Sequence, residues 1–388
     1  MIWDEFLYEL VVWLGLAFLA GGMLTGVRML LGKLWPKGLL PPQRQFAAPW
    51  GLHEIVAAVV FYMFLVAFLG ALLRDIAVLL ELAPRPDSEA AKADTLGYFV
   101  WGMALAGVPA VLFSLRLLYV MSETEPYQAG LRTDRIGADL TAGFLAWLML
   151  TPPILLLHAL VVSFFVSQGV DPQPHELLKL TEEGKTPPIV MVGMVLMATF
   201  SVPVAEEFLF RGLILKWAVL RNWGTDLLMG LAFACGVLGR ADELQTVGEL
   251  GWRAGLEDFA LAAAPALFVL ALIPLYIFIE FLAWPWLPRP NVARAIFAQA
   301  VLFAMVHFNN WPNQIALFLL GLGLGALAYR TQSLLGPITF HGLFNAIACM
   351  VLILNQGKPI SQPKKGKPET TAVVWPVGVS TASSVPGP

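Results

Sequence analysis

Charge is scarce in this sequence. Only 13% of its 388 residues are Asp, Glu, Lys or Arg, about half the ~25% of an ordinary soluble domain. The 24 basic and 27 acidic residues leave a net charge of −3. No excess of one sign argues for nucleic acid or for an acidic or basic partner. Cysteine is nearly missing: Cys235 and Cys349 both lie in apolar runs. They make no disulfide framework and read as small core hydrophobes. Met1–Glu9 has no Lys or Arg and contains Asp4, Glu5 and Glu9. A cleavable signal is therefore not expected in this stretch, which lacks the positive region one carries. The closing Val-Pro-Gly-Pro matches no lipidation motif, and lipidation there is not expected. The sequence also lacks HExxH, GxSxG, CxxC and a Walker loop. That argues against zincin-type proteases, serine hydrolases, redox proteins and ATPases.

What is abundant is apolar: 58% of the chain. A soluble domain of this length has no interior large enough to hide that much. This excludes a soluble globular enzyme and a disordered chain. The useful unit is the membrane span of ~20 residues. Apolar stretches run at about Leu10–Leu31, Ile55–Leu80, Tyr98–Val120, Leu140–Val166 and Ile189–Glu206. They continue at Leu227–Leu238, Phe259–Trp286, Ala293–Phe308, Ile315–Tyr329 and Leu334–Leu354. Open sheet edges are not tolerated in lipid, and the runs do not alternate as barrel strands do. The expectation is an all-α polytopic membrane bundle of roughly 8–10 transmembrane helices.

Pro84–Asp94, Asp171–Pro188 and Gly239–Asp258 read as acidic loops. After Asn355 the chain turns polar, with Lys358, Lys364, Lys365 and Lys367. Residues 356–388 are expected to be a disordered tail. Four basic residues, Arg28, Lys33, Lys37 and Arg44, follow the first span, and none precedes it. By the positive-inside rule that first loop is cytoplasmic. Gly321 and Gly325 form a G-x-x-x-G, a close helix-packing signal rather than a phosphate loop.

Three polar constellations interrupt the apolar helices. In Pro203–Gly212 two adjacent carboxylates, Glu206 and Glu207, end an apolar stretch. Arg211 lies four residues after Glu207, on the same helix face, and can pair with it. Glu206 is about 100° further round, freer to face a cavity as a general base. The plainer reading is an ion pair anchoring a helix end. His307 closes Phe303–His307, where a lone histidine is more often an interfacial hydrogen-bonder. His341 and Asn345 share a face at i, i+4 inside the last span. There a polar clamp between helices is the alternative. Together, Glu with His activates a water, and His with Asn donates to a developing oxyanion. Two His and a carboxylate also suit Zn²⁺, with Glu206, His307 and His341 as ligands.

These segments, EEFLFRG at Glu206–Gly212, FAMVH at Phe303–His307 and HGLFN at His341–Asn345, resemble the three ordered motifs of the CPBP intramembrane protease family, EExxxR, FxxxH and HxxxN. This is the Abi group, with the type II CAAX prenyl endopeptidases. The resemblance spans Pro203 to about Leu354. It implies peptide-bond hydrolysis within a bundle of roughly eight helices. By it, Glu206 and His307 activate water, His341 and Asn345 stabilise the oxyanion, and Glu207 and Arg211 hold the first motif. Whether the family's members need a metal is contested; the expectation here is metal-independent glutamate chemistry, because Glu206 with His307 suffices, with zinc as the alternative. The interval from Arg211 to Phe303 is long for the family, which points to an insertion at about 239–290. The expected organisation is N-terminal helices over 1–188, a protease core over 189–355, and the tail.

The expected partners are a peptide or protein substrate, lipidated or not, and the bilayer, with no nucleic acid. The expected location is a bacterial inner membrane, with the site toward the cytoplasm. Two rivals remain. One is an ion- or proton-coupled transporter, which buried Glu, His and Asn would equally serve. The other is a protease-like scaffold or immunity protein without activity.

Overall fold

The computed structural model describes residues 47–80, 89–168, 186–250, 255–279, 290–307 and 311–354, together with Gly15 and 20–22. Most of the stretch Leu10–Leu31 and of the loop Asp171–Pro188, and all of the tail expected at 356–388, lie outside the described residues.

The described residues form helices and short connections, with no strand among them. Helix α1 is Leu52–Leu79, α2 is Glu89–Ser122 and α3 is Ile136–Ser167. Helix α4 runs as one rod over Pro188–Val219, with π-helical turns at Met197–Ser201 and Phe208–Ile214. Then come α5 (Asn222–Leu238), α6 (Ala241–Leu250), α7 (Leu256–Ala262) and α8 (Ala264–Phe278). The chain continues through α9 (Pro290–Met305), α10 (Gln314–Thr331) and α11 (Leu335–Leu354). Among the described residues, α1, α2 from Gly97, α3, α4 and α10 are long and apolar enough to cross a membrane, and α5, α8, α9 and α11 are shorter apolar helices.

Three sequence expectations need correction. Gly239–Asp258 is not simply a loop, because α6 forms within it. Asp242 and Glu243 sit in its first turn, where carboxylates favour the helix dipole, and Gln245 Nε2 donates to Glu249 at 2.9 Å. In Pro84–Asp94 the helix begins at Glu89, because Glu-Ala-Ala-Lys-Ala are strong helix formers. The stretch Ile189–Glu206 does not end at the carboxylates either. Apolar residues after Arg211 carry α4 on to Val219, so Glu206 and Glu207 lie well inside the rod.

The exterior is apolar. Val60, Phe64, Leu112, Leu156, Leu160 and Phe164 are all exposed, whereas Glu207, Arg211 and Gln299 are fully buried. That inversion suits a hydrocarbon solvent, where polar groups are safe only inside the bundle. α1 packs on α2, α3 on α10 and α11, and α9 on α5 and α10. The first π turn of α4 lies between α2 and α11. Gly321 and Gly325 do mark a close crossing. A Cβ on Gly321 would stand 3.0 Å from Ala300, and one on Gly325 3.1 Å from Ile296. Within the expected insertion, α8 packs on α5. Tyr276 donates to Asp226 at 2.7 Å, and Arg294 of α9 reaches the same oxygen at 2.9 Å.

Several polar contacts gather the helix ends at one face. Trp50, just before α1, donates through Nε1 to Leu213 O at 3.3 Å. Lys216 donates to Gln128 O at 2.6 Å. Leu334 N, just before α11, donates to Gly130 O at 2.9 Å. The start of α1, the end of α2, the end of α4 and the start of α11 therefore share a side.

Candidate active site

Glu207 and Arg211 form the floor. Neither side chain has any exposure, and Arg211 Nη1 donates to Glu207 Oε1 at 2.8 Å. The pairing read from the i, i+4 spacing is thus present. The Arg211 guanidinium also lies over the Phe303 ring, 4.4 Å from its centroid, a favourable cation–π placement. Phe303 is fully buried and edges onto both histidine rings, at 4.9 Å to His307 and 5.9 Å to His341. The aromatic position of the second motif is therefore the common wall of the site.

His341 is 3% exposed and lies between two carboxylates, bonded to one of them. Its Nδ1 is 2.8 Å from Glu207 Oε1, and its Nε2 is 3.9 Å from Glu206 Oε2. Since an ionised carboxylate only accepts, Nδ1 carries the proton. His307 is fixed from the other side. Its Nδ1 stands 2.7 Å from Phe303 O, and a carbonyl also only accepts, so Nε2 faces the site with a free lone pair when the ring is neutral. That Nε2 is 4.0 Å from Glu206 Oε1.

Glu206 is accordingly central. It faces both histidines at distances too long for direct hydrogen bonds and suited to a bridging water. Two acceptors each ~2.8 Å from one water oxygen stand ~4.4 Å apart, close to the 4.0 Å seen between Glu206 and His307. The side chain is 21% exposed, while its Oε2 is shielded and makes no hydrogen bond.

Asn345 does not pair with His341, although they share a helix face. Its Nδ2 donates to Ala198 O at 2.8 Å, in the first π turn of α4. The π turn supplies that carbonyl, since a π turn disturbs the regular i→i−4 ladder. Thr199, in the same turn, bonds back to Val195 O at 2.6 Å. α11 approaches this turn closely: a Cβ on Gly342 would stand 2.4 Å from Thr199 O. Only a residue without a side chain fits there. One N–H of the Asn345 amide is committed to Ala198, and an amide nitrogen has a second.

Five of the six predicted site residues, Glu206, Glu207 and Arg211 of α4, His307 just past α9 and His341 of α11, therefore come together, while Asn345, one turn beyond His341, is bonded to Ala198. What the sequence did not reveal is the Glu207–His341 contact, which spans 134 positions, and the π turns. The small residues Ala198 and Gly342 are the sequence trace of the latter. Of the other histidines, His53 faces Glu54 at 2.9 Å and His158 is half-buried on α3. His175 lies outside the described residues.

The metal alternative is tested by spacing. Zinc holds N and O ligands at ~2.0–2.2 Å, so tetrahedral ligand atoms stand ~3.4 Å from one another. The two Glu206–histidine separations are 3.9 and 4.0 Å. Among the described residues no group of three His, Cys, Asp or Glu is spaced to hold a metal ion. The donor set as it stands does not fit zinc.

Residues 188–347 match the family model described as type II CAAX prenyl endopeptidase, Rce1-like. The matched range contains α4, α5, α9, α10 and most of α11, and with them every residue of the site. That description is of a family of peptidases, and five helices of the chain are long and apolar enough to cross a membrane. No curated protein and no solved structure matches the chain.

Proposed function

We propose that this chain, whose residues 188–347 match the Rce1-like type II CAAX prenyl endopeptidase model, is an intramembrane endopeptidase that uses Glu206 as its general base. The observation that carries this is the pair of separations, 4.0 and 3.9 Å, from the two Glu206 oxygens to His307 and His341. They frame a place for one water between a carboxylate and a correctly tautomerised imidazole.

The steps follow from the groups present. Glu206 takes a proton from the water, with His307 Nε2 accepting its other hydrogen bond. The water oxygen forms a bond to the scissile carbonyl carbon, and the C=O π pair moves onto oxygen. That oxyanion receives the second N–H of Asn345, and His341 Nε2–H when the ring is charged. Collapse breaks the C–N bond, and the proton on Glu206 passes to the leaving amine. Glu207 and Arg211 touch no substrate: they hold His341. No metal takes part.

Depth supports a membrane-borne substrate. Along their helices, Glu206 lies ~20 Å before Val219, and Asn345 ~15 Å after Leu335. A peptide bond reaching that level must be carried into hydrocarbon, which favours an apolar or lipid-bearing chain. Arg132, Arg135 and Arg221 flank the face from which these depths are counted, so by the positive-inside rule the site opens to the cytoplasm of a cell membrane. The chemistry asks for a peptide and a bilayer and for no nucleic acid.

The test is cleavage of a tagged peptide panel, with and without a lipid on the C-terminal side, by detergent-purified protein. Wild type is compared with Glu206→Gln and His307→Ala, each with and without chelator. Cleavage by wild type alone, indifferent to chelator, supports the reading. Equal cleavage by all three proteins refutes it.

A further inference from the structure

Tyr62 lies on α1, outside the matched range 188–347. It is 6% exposed and packs in one cluster with Val66, Ala106, Ala110 and Ala205. Ala205 immediately precedes Glu206. The phenolic oxygen of Tyr62 is shielded and makes no hydrogen bond, and the same holds for Glu206 Oε2. The charge of Glu206 reaches the phenol electrostatically.

The Tyr62 hydroxyl thus stands orphaned at the junction of α1, α2 and α4, and the next residue of α4 after that junction's Ala205 carries the second orphaned atom, Glu206 Oε2. They are complementary: the phenol has a proton to give, and the carboxylate oxygen only accepts. A buried unmade hydrogen bond is costly, and polar groups of this kind in a native interior ask for an explanation. An apolar ring alone would fill the cluster as well, so packing does not account for the hydroxyl. Catalytic hydrogen bonds are also often long or poorly aligned in a resting site and tighten as the substrate binds.

We propose that Tyr62 is a positioning residue for this reaction, donating through its hydroxyl to Glu206 Oε2 in the substrate-bound site. With Oε2 held by Tyr62, Oε1 stays turned toward His307 and the attacking water. Helix α1, to which the sequence assigns no role, then supplies part of the active centre. The inference rests on Glu206 being the base.

The experiment is steady-state cleavage of the best panel peptide by wild type, Tyr62→Phe and Glu206→Gln, with thermal unfolding of each in the same detergent. Phenylalanine keeps the ring and deletes only the unpaired hydroxyl, so stability should hold or rise. The expected result is a kcat lower by roughly 10- to 100-fold, the size of a lost hydrogen bond to a charged group, with KM within about twofold. A Tyr62→Phe protein with wild-type kcat overturns the inference and leaves the protease reading intact. A matched fall in kcat and unfolding temperature assigns Tyr62 to packing and also overturns it. A Glu206→Gln protein as active as wild type removes the base, and both readings fall.

Discussion

His341 Nδ1 binds Glu207 Oε1 at 2.8 Å, the same oxygen that accepts from Arg211 at 2.8 Å. One buried carboxylate oxygen therefore ties the third motif to the first. Its expected signature is stability as well as activity. Glu207→Gln leaves the Arg211 guanidinium buried without its counter-charge, which costs about 3–5 kcal/mol. A fall in unfolding temperature in detergent measures it. The double variant Glu207→Gln with Arg211→Met removes the stranded charge and should recover part of that loss, while activity stays low because His341 is no longer held.

Glu206 should behave in the opposite way. It pairs with nothing at hydrogen-bond distance and is partly exposed. Glu206→Gln should leave the unfolding temperature within about a degree and lower kcat by roughly 10²–10⁴-fold, the range of a lost general base. A large loss of stability would show that Glu206 serves the fold instead.

Metal removal gives a third expectation. The spacing of Glu206, His307 and His341 is wide for zinc, so dialysis against a chelator should leave kcat unchanged, with bound metal measured by elemental analysis. A rate lost on chelation and restored by Zn²⁺ would overturn the metal-free mechanism.

Gly342 offers a test away from the titrating groups. An added methyl would meet Thr199 O at 2.4 Å, a main-chain atom that cannot swing aside. Gly342→Ala should push α11 off the first π turn and lengthen the Asn345–Ala198 contact. Overpacking of this kind costs roughly 1–3 kcal/mol. Asn345→Ala, which deletes the same link without a clash, should reduce kcat with a smaller change in unfolding temperature.

The polar residues were legible because each is expensive in an apolar helix. Six such positions in three stretches, four of them in the i, i+4 pairs Glu207/Arg211 and His341/Asn345, were enough to mark the site. The Glu207–Arg211 pair followed from helix geometry alone. The partner of Asn345 did not, because it is a main-chain oxygen freed by a local change of helix type, and no side chain advertises it. The shared face of His341 and Asn345 placed them together but did not name their partners: tertiary packing sends one to Glu207 and the other to Ala198. The length of α4 was misjudged for a related reason. Two carboxylates look like a terminus when their buried partners, 4 and 134 positions away, are not in view.

The two π turns of α4 make chain length, and not only residue identity, part of the chemistry. Each residue added to or removed from a helix turns everything beyond it by about 100°. Between Met197 and Ile214 such a change would swing the base from the histidines toward a neighbouring helix or lipid. This stretch should therefore accept many conservative substitutions yet no insertion or deletion, and a single-residue deletion at Ala198 should abolish cleavage while leaving the helix itself intact.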